Sequence, residues 1–506
     1  MTQSAPTVLY LTRFYLPAAA AAGLRADHFV KALSDKSLRV IVATVGDQAE
    51  LIETSDNLIV CRITENGRVP DRMPSAHLTD WPRFKPLPTP GPDPICSKAI
   101  YRVGQWLIKL YQSELIFATG LPFGFVAVGC RLAQEFHLPL VAELRDCWFT
   151  GMPWPYPSFI QKRRAKNWEK VCVSYADKII TETQAQKNIL DQAYPNFASK
   201  IVTIRHSFDP SIVPPASSCQ SNLPPVSHRH DSSEPSSPLW QKEITVPGIT
   251  PDRPFIMAYT GQLRGLDLVD QPWGRRLSRR SYHFIKRLLL GASFCENLRL
   301  DWMSPHYLMQ ALAQIITKNP AWRDKIKLIF VGQRLPRIDR WARRLHLAGQ
   351  VQQLGPQPPA QAQHIIQEAD LLILNLYGIK NLDYHWCVPA KTYAYLGSGK
   401  PVLALIPPGE ARDLLIRART GFVVPPDDIN AIARRLTELL QQHFQGGIKI
   451  NPNLEFINRF ALPVQQKQFA DLIISVINPG TKNISPRQYA EKRGQEPFLC
   501  AASPES

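Results

Sequence analysis

The sequence predicts an α/β protein built from two Rossmann-like, doubly wound domains with an interdomain cleft. Three observations support that class. The chain has 506 residues, too many for one hydrophobic core, and at ~150 residues per domain two large domains with linkers and tails are expected. Short β-branched runs alternate with helical patterns in two separate series, as in βαβ units stacked into parallel sheets. Between the two series the composition shifts to Ser, Pro, His and Asn, as in a linker.

In the first series Val8 to Leu16 reads as a strand, Gly23 to Lys36 as a helix with Leu24, Phe29, Val30 and Leu33 on one stripe, and Arg39 to Val45 as a second strand. The proline-dense stretch from Pro70 to Pro94 breaks the pattern as a surface excursion. Alternation resumes with strands at Leu115 to Thr119, Leu140 to Leu144, Lys178 to Thr183 and Ile201 to Arg205, with helices around Phe125 to Phe136 and near Trp168. A second series opens at Phe255 to Thr260 and continues through Ile326 to Val331, Val351 to Leu354, Leu371 to Leu376, Pro401 to Ile406 and Phe422 to Val424. Ligands of such sheets collect beyond the carboxyl ends of the strands, so chemistry is expected in a cleft between two such faces.

Composition narrows the partners. Fifty-nine basic against 42 acidic residues leave a formal charge of +17, which favours an anionic partner. No nucleic-acid module is visible, so nucleic acid is not expected. The nine cysteines are odd in number and lack any Cys-x-x-Cys pair; a disulfide framework and a zinc site are therefore disfavoured and a cytoplasmic setting is expected. No leader pattern opens the chain, and no apolar stretch reaches the ~20 residues needed to cross a bilayer. The histidines at 283, 306 and 364 stand apart from metal-ligand partners, and no metal is expected.

The strongest local signal runs from Val388 to Ala404. Pro389 and Ala390 open a short helix carrying Lys391, Gly397 and Gly399 end it, and Pro401 starts a buried strand. A helix start with free N–H groups and an added cation suits a pyrophosphate. An ordinary helix capped by Gly399, with Lys391 in solvent, fits the same pattern. The segment resembles the donor site of GT-B glycosyltransferases of retaining family 4, also called group 1. Supporting that resemblance in order are Tyr259-Thr260-Gly261-Gln262-Leu263-Arg264, Phe330-Val331-Gly332, Leu354-Gly355 and the run Thr420 to Pro426.

The resemblance implies transfer of a sugar from a nucleotide diphosphate donor, with retention and without a metal or other cofactor. Arg264 and Lys391 would neutralise the leaving diphosphate, and Gly261, Gln262, Pro389, Tyr393 and Asp209 would bind the donor. Tyr10 to Pro17 with Gly23 and Arg25 resembles the family's first strand and acceptor loop. Glu143 to Trp148 resembles an Asp-x-Arg-Asp-x-Trp strand end, which implies acceptor contacts from Arg145 and Trp148 and a catalytic, hydroxyl-orienting Asp146. A structural ion pair with Trp148 in the core fits those residues too.

Two departures motivate a rival. Trp386 and Ala394 occupy the positions where many relatives carry two glutamates. A non-catalytic GT-B scaffold or regulatory subunit is the rival they motivate; a nucleotide-sugar epimerase is another, since that chemistry uses a similar two-domain cleft. The implied organisation is an acceptor domain over residues 1–213, a linker over 214–254, a donor domain over 255–460 with a basic insertion at 266–302, a helix over 461–478 and a tail over 479–506. Arg275 to Leu290 contains basic and apolar residues and no acid, as in a segment that lies on anionic lipid; a solvated loop or partner helix has the same composition. The expected partners are thus a nucleotide sugar, a lipid-linked or polysaccharide acceptor and an anionic surface, at the inner face of the cell membrane.

Overall fold

A computed structural model describes residues 5–17, 21–73, 94–151, 159–212, 244–245, 253–264 and 298–478. The expected membrane segment Arg275 to Leu290, the tail and nearly all of the linker lie outside the described residues. The described chain divides into two units, one holding residues up to Arg205 and from Gln465 onward, the other His206–Val464.

The first unit is an eight-stranded sheet. Its elements are β1 (Thr7–Leu11), α1 (Ala21–Ser34), β2 (Arg39–Gly46), β3 (Glu50–Ser55), β4 (Leu58–Thr64), α2 (Pro94–Tyr111), β5 (Leu115–Gly120), α3 (Gly124–Phe136), β6 (Leu140–Leu144), α4 (Phe159–Tyr175), β7 (Lys178–Thr181), α5 (Gln184–Ala193) and β8 (Ile201–Thr203). The strand order is β3-β4-β2-β1-β5-β6-β7-β8, parallel except for β3 against β4. Along β1, Leu9 and Leu11 enter one core while Val8 and Tyr10 enter the other. A strand buried on both faces needs apolar residues at every position, which is why these strands read as continuous runs.

The second unit is a six-stranded parallel sheet. It comprises β9 (Phe255–Thr260), α6 (His306–Lys318), β10 (Ile326–Val331), α7 (Pro336–Arg344), β11 (Val351–Gly355), α8 (Pro359–Glu368), β12 (Leu371–Asn375), α9 (Ala390–Ser398), β13 (Val402–Leu405), α10 (Glu410–Ala418), β14 (Gly421–Val424), α11 (Ile429–Phe444) and α12 (Leu454–Asn458). Its order, β11-β10-β9-β12-β13-β14, reverses direction between β9 and β12, so each unit is doubly wound as expected. Phe255, Met257 and Tyr259 point to one core, and Ala258 to the other.

Two boundaries differ from the sequence expectation. The first unit ends at Arg205 rather than at 213, because Phe208 packs into a core of the second unit and exchanges backbone hydrogen bonds with Phe460 and Leu462. From Gln465 the last helix, α13 (Leu462–Ile477), belongs to the first unit. There Phe469 stacks on Phe29 at 3.9 Å and meets Phe117 edge-on at 5.1 Å. The antiparallel hairpin β3–β4 was not anticipated.

Candidate functional site

A ligand of a doubly wound sheet sits beyond the strand ends where the order reverses. In the second unit that point is reached by Thr260 and Gly261, which leave β9, and by Asn375, which ends β12. Gly261 has a φ of +113°, and its N–H donates to the Val331 carbonyl at 2.8 Å. A Cβ on neighbouring Gly332 would stand 2.2 Å from the Gly261 carbonyl oxygen. Glycine is therefore required on both sides of this close backbone approach.

Lys391, in the first turn of α9, is set against that turn. Its Nζ lies 3.7 Å from the centre of the Tyr259 ring and 2.9 Å from where a Gly261 Cβ would stand. The Tyr259 hydroxyl donates to the Gln262 carbonyl at 3.0 Å, which holds the ring under the ammonium. Lys391 is half-buried, and burial pulls its ammonium from 10.5 down to about 7. Among the described residues no carboxylate lies within salt-bridge reach of it. A lysine this desolvated and unneutralised is a stored demand for an anion.

The supporting contacts come from the same helix. Lys391 and Tyr395 are four apart and share a face. The Thr260 N–H donates to the Tyr395 hydroxyl at 3.0 Å, tying α9 to β9. A Cβ on Gly397 would stand 2.3 Å from the Phe208 ring, so glycine lets that ring lie on the helix. Pro389 precedes α9 and offers no side-chain cap, leaving the N–H groups of Ala390 and Lys391 uncapped by a side chain. Three more polar atoms near the helix start are buried without a partner among the described residues, namely His385 Nε2, Trp386 Nε1 and Thr392 Oγ1. His385 Nδ1 accepts from the Cys387 N–H at 3.2 Å, and burial draws the imidazole down to about 4, so the neutral ring carries its proton on Nε2. The helix start therefore presents a cation and uncapped backbone N–H groups, a set suited to phosphate oxygens, and the segment leading into it carries two buried side-chain N–H donors.

The other expected donor residues divide. Gln262 and Arg264 are exposed, with an Arg264 guanidinium nitrogen 3.3 Å from Gln262 Oε1. Asp209 accepts from the Ser211 N–H and hydroxyl at 2.9 and 2.6 Å and caps its own turn. Tyr393, expected to bind the donor, is fully buried between His206 and Phe460. Its ring is core, and the reason is its position on the inward face of α9.

In the first unit, Arg25 and Trp148 also depart from expectation. The Arg25 guanidinium is buried, donating to Glu143 at 2.9 Å and to the carbonyls of Arg205 and Ile204 at 2.7 and 2.8 Å. It spans α1, β6 and the end of β8 as an internal strut, with most of its donors spent on these partners. Glu143 also accepts from the Thr119 hydroxyl at 2.6 Å. Trp148 stacks on Phe123 at 5.0 Å, 1% exposed, as core. Arg145 is half-buried, 3.4 Å from Glu182. Gly23 is buried within α1, and Asp146 is half-buried beside the β6 end. Tyr259, Tyr395 and His385 are the site residues that sequence reasoning did not assign. The four-residue spacing of Lys391 and Tyr395 is the signal that identifies one of them.

Comparison with known proteins agrees with this geometry. Residues 293–442 match the family described as glycosyl transferases group 1. No curated protein matches the chain. Among solved structures, the Anabaena protein HepE in complex with UDP-glucose is 17% identical, covering 93% of this chain and 99% of its own, at a TM-score of 0.54. The sucrose-phosphate synthase of Thermosynechococcus elongatus is 15% identical, with 94% and 100% covered and a TM-score of 0.56. A glycosyltransferase from Rickettsia africae is 12% identical, with 94% and 100% covered and a TM-score of 0.53. At these identities the likeness is one of fold, and the matched segment spans α6 to most of α11, including the Lys391 helix. Over residues 293–442 the chain matches the group 1 glycosyltransferases, and as a whole it shares the GT-B fold of these solved structures.

Proposed function

We propose that the protein transfers a sugar, with retention of anomeric configuration, from a nucleotide diphosphate sugar to a glycolipid or polysaccharide precursor at the cytoplasmic face of a membrane. The observation that carries the proposal is the unneutralised Lys391 ammonium held over Tyr259 at the start of α9. Breaking the bond between the sugar carbon and the diphosphate oxygen leaves two new demands, negative charge on the diphosphate and positive character on the sugar. Lys391, the uncapped N–H groups of α9 and Arg264 meet the first. The acceptor hydroxyl then bonds to the sugar carbon, and its proton passes to the departing phosphate oxygen, so no separate base is required. Asp146 and Arg145 would orient the acceptor. Gly261 and Pro389 shape the backbone around the diphosphate, Gln262 is a further donor contact, and Asp209 would accept from the donor's ribose hydroxyls.

The HepE complex with UDP-glucose supports a nucleotide sugar as donor. Titration calorimetry with uridine and guanosine diphosphates tests the reading. Binding of one of them is expected, and Lys391→Ala should weaken it on the order of 10- to 100-fold, the range for a charged hydrogen bond. Equal affinity in the variant would refute the phosphate role. Transfer should continue in the presence of a chelator, and product NMR should show the donor's anomeric configuration retained.

A further inference from the structure

Between Arg323 and Arg344 the chain carries eight basic residues and two acids, and beyond Asp339 the next acid is Glu368. The cations lie together on the β11 side of the second unit. Arg323 donates to the His346 carbonyl at 2.8 Å and Lys327 to the Gly349 carbonyl at 2.7 Å. Both therefore meet the loop that follows α7. Arg343 lies in the last turn of that helix, with its carbonyl accepting from the His346 N–H, and Arg340 sits one turn earlier on the same exposed face. Lys325 lies nearby, its ammonium 5.8 Å from the Phe444 ring. None of these five cations has a carboxylate within salt-bridge reach among the described residues. Asp339, the acid within α7, accepts instead from the Gln353 amide at 2.7 Å.

Bonds to carbonyls orient these groups without neutralising them, so against the exposed Asp324 and Asp339 the face keeps a net positive charge. The opposite side of α7 is spent on the core, since Ile338, Trp341 and Ala342 are buried. That arrangement discriminates among anionic partners. Single-stranded nucleic acid is held by aromatic rings on which bases stack, and the one aromatic of α7, Trp341, is 3% exposed. No large hydrophobic side chain of α7 or its following loop is exposed, so nothing here inserts into acyl chains. What remains is a cluster of guanidinium and ammonium groups, which suits phosphate headgroups displayed on a plane.

We infer that Arg323, Lys327, Arg340 and Arg343 form a docking surface for anionic phospholipid headgroups, by which the second unit adsorbs to a membrane without penetrating it. The inference gives the membrane-side location proposed above a specific surface. Its test needs neither donor nor acceptor, so it fails separately from the transfer reaction.

Flotation of the full chain with phosphatidylglycerol vesicles should show binding that weakens with salt, and phosphatidylcholine vesicles should show none. The triple variant R323Q/R340Q/R343Q should lose on the order of a hundredfold in partitioning, at about 1 kcal/mol for each basic residue, with its thermal unfolding unchanged. Should that variant fail to fold, the single variant R340Q, whose side chain is exposed, should still lose about fivefold. Absence of wild-type binding to phosphatidylglycerol, or undiminished binding by the variants, overturns the inference. Equal binding to phosphatidylcholine does so too. A single-stranded oligonucleotide that displaces the protein from vesicles and loses affinity in the same variants would reassign the surface to nucleic acid. Inorganic phosphate that displaces it at matched ionic strength would reassign it to a free anion.

Discussion

A lysine ammonium set against a tyrosine ring and a glycine backbone gains a cation–π contact but loses much of its water, and at Lys391 the loss dominates, since burial pulls the group to about 7. In the unfolded chain the same group holds its proton to near 10.5. Between those values the unfolded state binds more protons than the folded one, so this residue's contribution to stability rises with pH from about 7 to about 10.5; below 7 the folded state carries the full cost of a desolvated charge. Lys391→Met should accordingly stabilise the protein below neutrality and change little at high pH, as read by urea unfolding across the range. A bound diphosphate supplies the missing counter-charge and raises the pKa. Binding above pH 7 should therefore take up about one proton, measurable by calorimetry in buffers of different ionisation enthalpy and absent in Lys391→Met. Glu143 is the opposite case, a buried carboxylate already matched by Arg25. Glu143→Ala would strand that guanidinium and should cost about 3–5 kcal/mol of stability. A variant of unchanged stability would return Arg25 to the candidate ligand contacts.

The tie between α9 and β9 converts these residues into a site. Tyr395 reaches across to the Thr260 N–H, and Tyr395→Phe would leave that group without its partner. The expected loss is about 1–3 kcal/mol of stability, together with weaker diphosphate binding because Lys391 shares the helix. Unaltered denaturant midpoint and affinity would show that α9 is held by other contacts. At this scale much was legible beforehand. Phe255–Thr260, Ile326–Val331 and Leu140–Leu144 appear with the bounds expected, because a strand buried on both faces leaves a predominantly apolar run. The helix start at Ala390 was legible from Pro389 and Gly399. The hairpin β3–β4 was not, since Glu50–Ser55 is an edge strand with mostly exposed residues and lacks such a run. Arg25, Trp148 and Tyr393 were misassigned for a common reason. A polar or aromatic residue at a strand end or helix start has the same sequence pattern whether it faces a ligand or the core. Only the partners decide, and Arg25's partners at Glu143, Ile204 and Arg205 lie 118 to 180 residues away.

At the scale of the whole molecule, the chain's order is not the order of its units, because the last helix returns to the first. Phe469 completes an aromatic cluster there, stacked on Phe29 from α1 and edge-on to Phe117 from β5. Gln465 accepts from the Arg205 N–H, and Gln466 donates to the His28 carbonyl. The first sheet's second core is thus closed by a segment more than 250 residues beyond its last strand, and a fragment ending at Arg205 would leave Phe29 and Phe117 uncovered. Removing the ring in Phe469→Ala should cost about 3–5 kcal/mol, the range for a buried aromatic. Val464→Ala, at an exposed position two residues after the start of α13, should stay within about 0.5 kcal/mol. Because every ring contact of Phe469 lies in the first unit, the loss should appear in the unfolding of that unit, while the Lys391-dependent affinity for nucleoside diphosphate stays at the wild-type value at 25 °C. Calorimetric unfolding of both variants, followed by diphosphate titration, checks the pair of outcomes. A Phe469→Ala protein as stable as Val464→Ala would show that the first core closes without its terminal helix.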